Sequence, residues 1–367
     1  MITRRTFLGR GLGAAAALSS LGKAAEAWAA EEVRSWSPVI DTMTPDGPDF
    51  DAGAALAGGL TAAVLDLRLF PRNFPKALES LQAWEAAFKR PDSRFFKVLK
   101  AGDLGEARRQ GKLGIILACQ DAAILDSSTF SVNDRNLENL RQFYGLGLRV
   151  LQLTHNERNA VGDSFREKID AGLSILGEAV VKEMNALGML VDLSHCSDQT
   201  TFQAIRLSAK PCAVTHAGCR SLYPSLRNKP DEVIRALAEK GGYFGIYNMS
   251  VWLTDGETSS AADVLDHLDH VVKVGGIDLA GFGSDGPVLG DPTPQKEKAE
   301  GLQGYIRRNQ GLPGGEPLHG HVSVAELETP KRMEIVAAGL AKRGYKEDAI
   351  AKLLGGNFAR VFGAVCG

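Results

Sequence analysis

Three of the chain's seven histidines close apolar runs: "RVLQLTH" ends on His155, "MLVDLSH" on His195 and "CAVTH" on His216. A fourth run, "LAGFGSD", ends on Asp285. A lone histidine at a strand end ordinarily caps structure, but three that converge suit a divalent ion such as Zn²⁺, held by neutral imidazoles at ~2.1 Å. Such an ion turns water into a nucleophile near neutral pH, and a carboxylate such as Asp285 can take the proton. Side chains alternate along a strand, so Val191, Leu193 and His195 are expected on one face, as are Val214 and His216, and Gly281, Gly283 and Asp285. If those faces point inward, apolar layers lie beneath the histidines and the glycines open space beside Asp285. His267 and His270 fall in an amphipathic stretch and read as solvated. "HGH" at 319–321 sits in a Gly/Pro-rich loop, with a metal motif as the sharper alternative.

The elements that must position these residues are eight β-rich runs, at 37–43, 61–69, 113–120, 149–155, 189–195, 212–216, 242–249 and 279–285. Amphipathic stretches lie between them, with Leu173, Leu176, Val180, Met184 and Leu187 at helical spacing, and again Val264, Leu265, Leu268, Val271 and Val272. Gly188, Gly275 and Gly276 stop these helices. No charge block or linker divides the series, so the expected class is α/β, a single closed (β/α)8 barrel of the TIM type over 36–363, in place of two doubly wound domains. In such a barrel the C-terminal strand ends share one rim, and here they read Met43, Gln120, His155, His195, His216 and Asp285. The irregular stretch 286–327 follows the eighth strand, either as a lid or specificity loop or as a surface insertion.

Composition narrows the function. The 367 residues are 44% hydrophobic, and 42 Lys plus Arg balance 44 Asp plus Glu. No basic run is interleaved with aromatics, so nucleic acid is not an expected partner. Five cysteines, Cys119, Cys196, Cys212, Cys219 and Cys366, are odd in number and irregular in spacing, which is no disulfide framework. Parity turns Cys119 and Cys196 toward the surrounding helices as packing residues, with a thiol ligand at the rim as the alternative. Residues 1–30 resemble a twin-arginine export signal: Arg4 and Arg5, then Phe7 and Leu8, an Ala/Gly/Leu stretch, and small residues at Ala27 and Ala29. The expected location is therefore periplasmic or extracellular. No other segment is long enough to span a membrane.

Taken together, "LQLTHNERNAVGDS", "GLSILGEAVVKEMNALGMLVDLSHCS", "PCAVTHAG" followed by "LRNKPDE", "GFGSDG" and "GGNFARVF" resemble the membrane (renal-type) dipeptidase family. These are zinc peptidases on an amidohydrolase-like barrel. The resemblance implies that His195 and His216 hold the second zinc of the family's pair and that His155 contacts the substrate or its oxyanion. It implies that Arg227 engages the dipeptide carboxylate, and that Asp285 shuttles the proton and meets the dipeptide amino group. The sequence also departs from the family. Met43 and Pro45 stand where the family has a histidine and an aspartate that bind the first zinc, and Gln120 stands where it has a bridging glutamate. Asp41, Asp46 or Asp121 would replace those ligands only after a register change. The expectation is an exported metallohydrolase with one zinc on His195, His216 and the Gln120 carbonyl oxygen, acting on a dipeptide or a small amide with a free carboxylate. The alternative is a catalytically altered relative that binds or matures a small exported peptide. Oligomeric state, a homodimer included, stays open.

Overall fold

The structure is a computed structural model that describes residues 38–67, 69, 72–125, 134–254, 259–300 and 322–367. The export signal, His319, His321 and half of the 286–327 stretch lie outside the described residues. Nine parallel strands form one sheet: β1 (Ile40–Thr44), β2 (Ala62–Asp66), β3 (Phe95–Lys97), β4 (Leu113–Cys119), β5 (Leu148–Gln152), β6 (Leu190–Asp192), β7 (Ala213–Ala217), β8 (Tyr243–Ile246) and β9 (Ala280–Phe282). Eight of them follow the order β1-β2-β4-β5-β6-β7-β8-β9. The barrel expected from the eight runs is thus the fold.

β3 was not among those runs. It pairs with the first half of β4, Phe95 to Leu113 through Lys97 to Ile115, while β5 takes the second half from Leu117 onward. A three-residue strand carries too little periodicity to stand out. The seam between β9 and β1 is closed by single bonds instead of a ladder. Asp285 N donates to Met43 O at 2.9 Å, Ser284 N to Asp41 Oδ1 at 2.7 Å, and the Thr42 hydroxyl reaches the Thr215 and Phe282 carbonyls at 2.8 and 3.1 Å.

Two apolar clusters flank the sheet. The outer one joins strand residues such as Val191, Leu193 and Val214 to helix residues such as Val180, Met184, Val233 and Leu268. The inner one holds Ile40, Val64, Ile116, Val150, Leu190, Ala213 and Tyr243, closed from below by Phe358, Val361 and Phe362. This overturns the simple alternation. Val191, Leu193 and Val214 face the helices, whereas His195 and His216 reach the rim, because β6 ends at Asp192 and the β7 register breaks between Val214 and Ala217. Each break resets the facing of the residues beyond it.

The glycines of the last strand do not leave open space either. A Cβ on Gly281 would lie 2.3 Å from the Tyr243 hydroxyl, and one on Gly283 would lie 2.4 Å from Thr42 Oγ1. They admit a packed floor of Tyr243 and Thr42.

The helical run Glu347–Cys366 is, among the described residues, the one long and apolar enough to cross a membrane. Half of it is buried inside the protein, where it supplies Phe358 and Phe362 to the barrel base. All five cysteines are free thiols, and Cys119, Cys196 and Cys219 pack in the outer cluster. Burial pushes their thiols up, which makes them poor nucleophiles and ligands.

His267 and His270 are not solvated. His267 is 1% exposed, its Nδ1 accepts from Cys219 N at 2.8 Å and its Nε2 donates to Leu253 O at 3.0 Å. His270 pairs with Asp231 at 2.8 Å. The helix Ala261–Gly275 turns both toward the loop after β7 and the helix that follows it. Burial lowers His267 from 6.5 to about 4. The unfolded chain therefore binds a proton that the folded chain refuses, and stability falls as pH drops from about 6.5 toward 4, by ~3 kcal/mol from this group. Urea unfolding of His267→Gln against the parent at pH 7 and pH 4 should show the variant with the shallower loss. An equal loss in both would contradict this.

Candidate metal and catalytic site

Each histidine at the rim has its proton placed by a neighbour. His195 Nδ1 lies 3.0 Å from Asn156 Oδ1, an acceptor, so the ring donates there and keeps its lone pair on Nε2. His216 Nδ1 lies 2.9 Å from Thr215 Oγ1. The Thr215 hydroxyl proton goes to Asp192 Oδ2 at 2.6 Å, so the threonine oxygen accepts from His216, whose lone pair is also on Nε2. Asp192 is fully buried beneath the site and also accepts the Ser194 hydroxyl at 2.6 Å and the backbone amides of Ser194 and Thr215 at 3.1 Å. Ser194 Oγ in turn accepts from His216 N at 3.1 Å.

The two Nε2 atoms face each other across 3.0 Å. Burial, then the Arg227 guanidinium, hold both imidazoles well below the usual histidine range, so neither proton nor hydrogen bond fills the gap. Two facing lone pairs repel unless a cation lies between them. Their separation is near the roughly 3.4 Å that two ~2.1 Å bonds span at a tetrahedral ion. Asp285 Oδ1 lies 3.9 Å from His216 Nε2. Among the described residues, His195, His216 and Asp285 form the one cluster of three such groups that could hold an ion.

Asp285 is also the single described residue other than glycine with a left-handed backbone, at φ 55°. The bonds to Met43 O and from Ser284 N to Asp41 hold it there, and such conformations persist where the surroundings enforce them. Burial raises its carboxyl to about 7 against the opposing pull of Arg227. It can therefore hold or release a proton near neutrality.

The rest of the expected set is present with particular constraints. Gln120 is buried, with its backbone N donating to Asp66 Oδ1 and its backbone O accepting from Gln152 Nε2. Among the described residues its side-chain Oε1 has no hydrogen-bond partner. A buried orphan acceptor of this kind fits a ligand oxygen.

Arg227 is fully buried, with Nη1 on Ser194 O at 2.8 Å and Nη2 on His216 O at 3.0 Å, so its fork ties together the two ligand-bearing loops. Among the described residues its Nε has no hydrogen-bond partner. Tyr247 and Trp252 flank the guanidinium at 5.1 and 5.9 Å. His155 stacks on His195 at 4.3 Å and 20°.

Met43 is fully buried in the inner apolar cluster. Asp41 is engaged by Ser284 N and by Arg332 at 3.4 Å, Asp46 by Val288 N at 2.8 Å, and Asp121 by Ala123 N and Asn159. All three carboxylates take part in bonds that hold the chain.

Sequence reasoning missed Asn156, Thr215, Asp192 and Arg72, whose Nη1 meets His155 Nδ1 at 3.0 Å. Asn156 and Thr215 are chain neighbours of His155 and His216, which is the one signal that could have flagged them. A cavity of roughly 350 Å³ beside the histidines is lined by Arg72, Asp121, His155, Asn156, Arg158 and Asn159 among others. A larger one, roughly 650 Å³, lies between the helices Ala261–Gly275 and Arg332–Lys342 and contains none of the site residues.

The described ends of the stretch after β9 are tied down. Lys298 pairs with Asp291 and Glu328 at 3.3 Å, and Gln295 accepts from Val322 N at 3.1 Å.

Comparison with known proteins places the chain in a family. A family model described as membrane dipeptidase (peptidase family M19) matches residues 36–296. Dipeptidase tcpJ of Claviceps purpurea is 31% identical over 266 residues, 71% of this chain and 53% of that protein. Dipeptidase verJ of Clonostachys rogersoniana is 31% identical over 228 residues, 62% of this chain and 50% of that protein. The chain thus matches about half the length of these curated relatives. Among solved structures, an amidohydrolase from Pseudomonas aeruginosa superposes with a TM-score of 0.79 at 26% identity, covering 92% of this chain and 98% of that one. The probable dipeptidase PvdM from the same organism has the same fold, with a TM-score of 0.72 at 20% identity and 94% and 98% coverage.

Proposed function

The chain belongs to the membrane dipeptidase family, peptidase family M19, and from that premise we propose that it is an exported hydrolase with one divalent ion, zinc, on His195 and His216. Its substrate in this reading is a dipeptide or another small amide with a free carboxylate. The observation that carries the reading is the pair of facing Nε2 lone pairs at 3.0 Å with Asp285 3.9 Å away. The ion is single because Met43, Pro45 and Gln120 stand at the first site and Asp41, Asp46 and Asp121 are engaged elsewhere.

The bound ion supplies Lewis acidity to the scissile carbonyl and acidifies water. Asp285 accepts the proton of the attacking water and returns it to the leaving amine. His155 donates from Nε2 to the oxyanion. Arg227 presents Nε toward the carboxylate while its two Nη atoms brace the ligand loops. Export by the twin-arginine route to a periplasmic or extracellular location rests on the Arg4–Arg5 segment.

The test is the metal content of mature protein purified without added metal or chelator, followed by a dipeptide panel. About one zinc per chain with metal-dependent cleavage is expected. Met43 and Gln120 favour a second reading, a relative that binds or matures a small exported peptide without hydrolysis. No metal and no cleavage would replace the first reading with it.

A further inference from the structure

The loop after β2 brings Arg72 to the ring of His155. Its Nη1 lies 3.0 Å from His155 Nδ1. A guanidinium has N–H donors and no acceptor, so Nδ1 must accept. Were Nδ1 protonated, two N–H groups would face each other at hydrogen-bond distance. The ring proton of His155 is thereby placed on Nε2.

Stacking on His195 at 4.3 Å and 20° fixes the ring plane, but it does not choose between the nitrogens. Arg72 makes that choice. It also lines, with His155 and Asn156, the roughly 350 Å³ cavity beside the metal ligands.

We propose that Arg72 is a positioning residue that locks His155 as its Nε2–H tautomer and so keeps a hydrogen-bond donor aimed at the oxygen that becomes negative. The inference rests on the role given to His155 above. With the opposite tautomer, Nε2 would present a lone pair to that oxygen, and the donor would become a repulsive group. Losing one such donor typically lowers kcat by about 10²-fold.

The experiment uses zinc-loaded protein with ¹⁵N-labelled histidine. Long-range ¹H–¹⁵N correlation spectra distinguish Nδ1–H from Nε2–H rings, and His155 is assigned from the signal missing in His155→Gln. The parent should show His155 as Nε2–H. Arg72→Lys, which still offers donors alone, should keep that tautomer. Arg72→Met should populate Nδ1–H and lower kcat by about 10²-fold, with KM changed by less than about 3-fold.

A parent ring protonated on Nδ1, or an Arg72→Met ring unchanged from the parent, overturns the proposal. Should Arg72→Met not fold, the parent and Arg72→Lys spectra decide it, since Nδ1–H in either contradicts the lock. The ring spectra also separate this proposal from the hydrolase reading. A parent that cleaves no dipeptide but holds Nε2–H refutes the function and keeps the lock, and a parent that cleaves dipeptides with an Nδ1–H ring does the reverse.

Discussion

His195→Ala is expected to lose the metal and the hydrolysis together. The substitution removes one of the two facing Nε2 donors and leaves His216 as the sole imidazole beside Asp285. One imidazole and one carboxylate with a raised pKa make a weak site for a divalent ion. Zinc per chain, read by plasma emission spectrometry after gel filtration, should fall from about one to near none. Cleavage of the best dipeptide should fall by more than about 10³-fold in kcat/KM, some 4 kcal/mol of transition-state stabilisation. The fold should survive, because the cavity left by the ring opens at the rim and the Asp192, Ser194 and Thr215 bonds below are untouched. Turnover at parental level by a metal-stripped His195→Ala preparation would refute the mechanism outright.

Asp285→Asn separates proton transfer from metal binding. Asparagine accepts the left-handed backbone at φ 55° almost as well as aspartate, so the substitution adds little strain. It keeps the shape and an oxygen near His216 but cannot take a proton. The expected result is retained zinc and a kcat lower by about 10²- to 10⁴-fold, the usual worth of a general acid or base. If zinc and turnover are lost together, Asp285 is a ligand, and if zinc is retained with kcat unchanged, it is not the shuttle. The parent's rate profile against pH should contain a limb that Asp285→Asn lacks.

Much of this site is legible in the sequence. The runs ending on His155, His195, His216 and Asp285 are long, apolar and bounded by turns, and a barrel brings their ends together whatever the details of register. What could not be read depended on those details. Val191, Leu193 and Val214 face the helices because β6 stops early and β7 is irregular, and neither break has a residue signature. β3 is too short to show a period. Arg72 is distant in sequence from His155, and no spacing rule links a loop after one strand to a ring after another. His267 sits on a helix whose polar positions suggest solvent, yet the loop after β7 covers it. Asp192 reads as one polar residue in an apolar strand, and only its four hydrogen bonds show that it anchors the threonine behind His216.

That anchoring separates two events in the life of the protein. The rings of His195 and His216 are aimed by Asn156, Thr215 and Asp192, all of them part of the chain, and their loops are braced by the Arg227 fork. These bonds aim both rings without an ion, while the repulsion between the two facing lone pairs is left for an ion to relieve. Folding can therefore finish first, and the metal can arrive afterwards as a guest in a site already shaped for it. If the proposed ion is bound, its loading would then depend on where the finished barrel meets available metal.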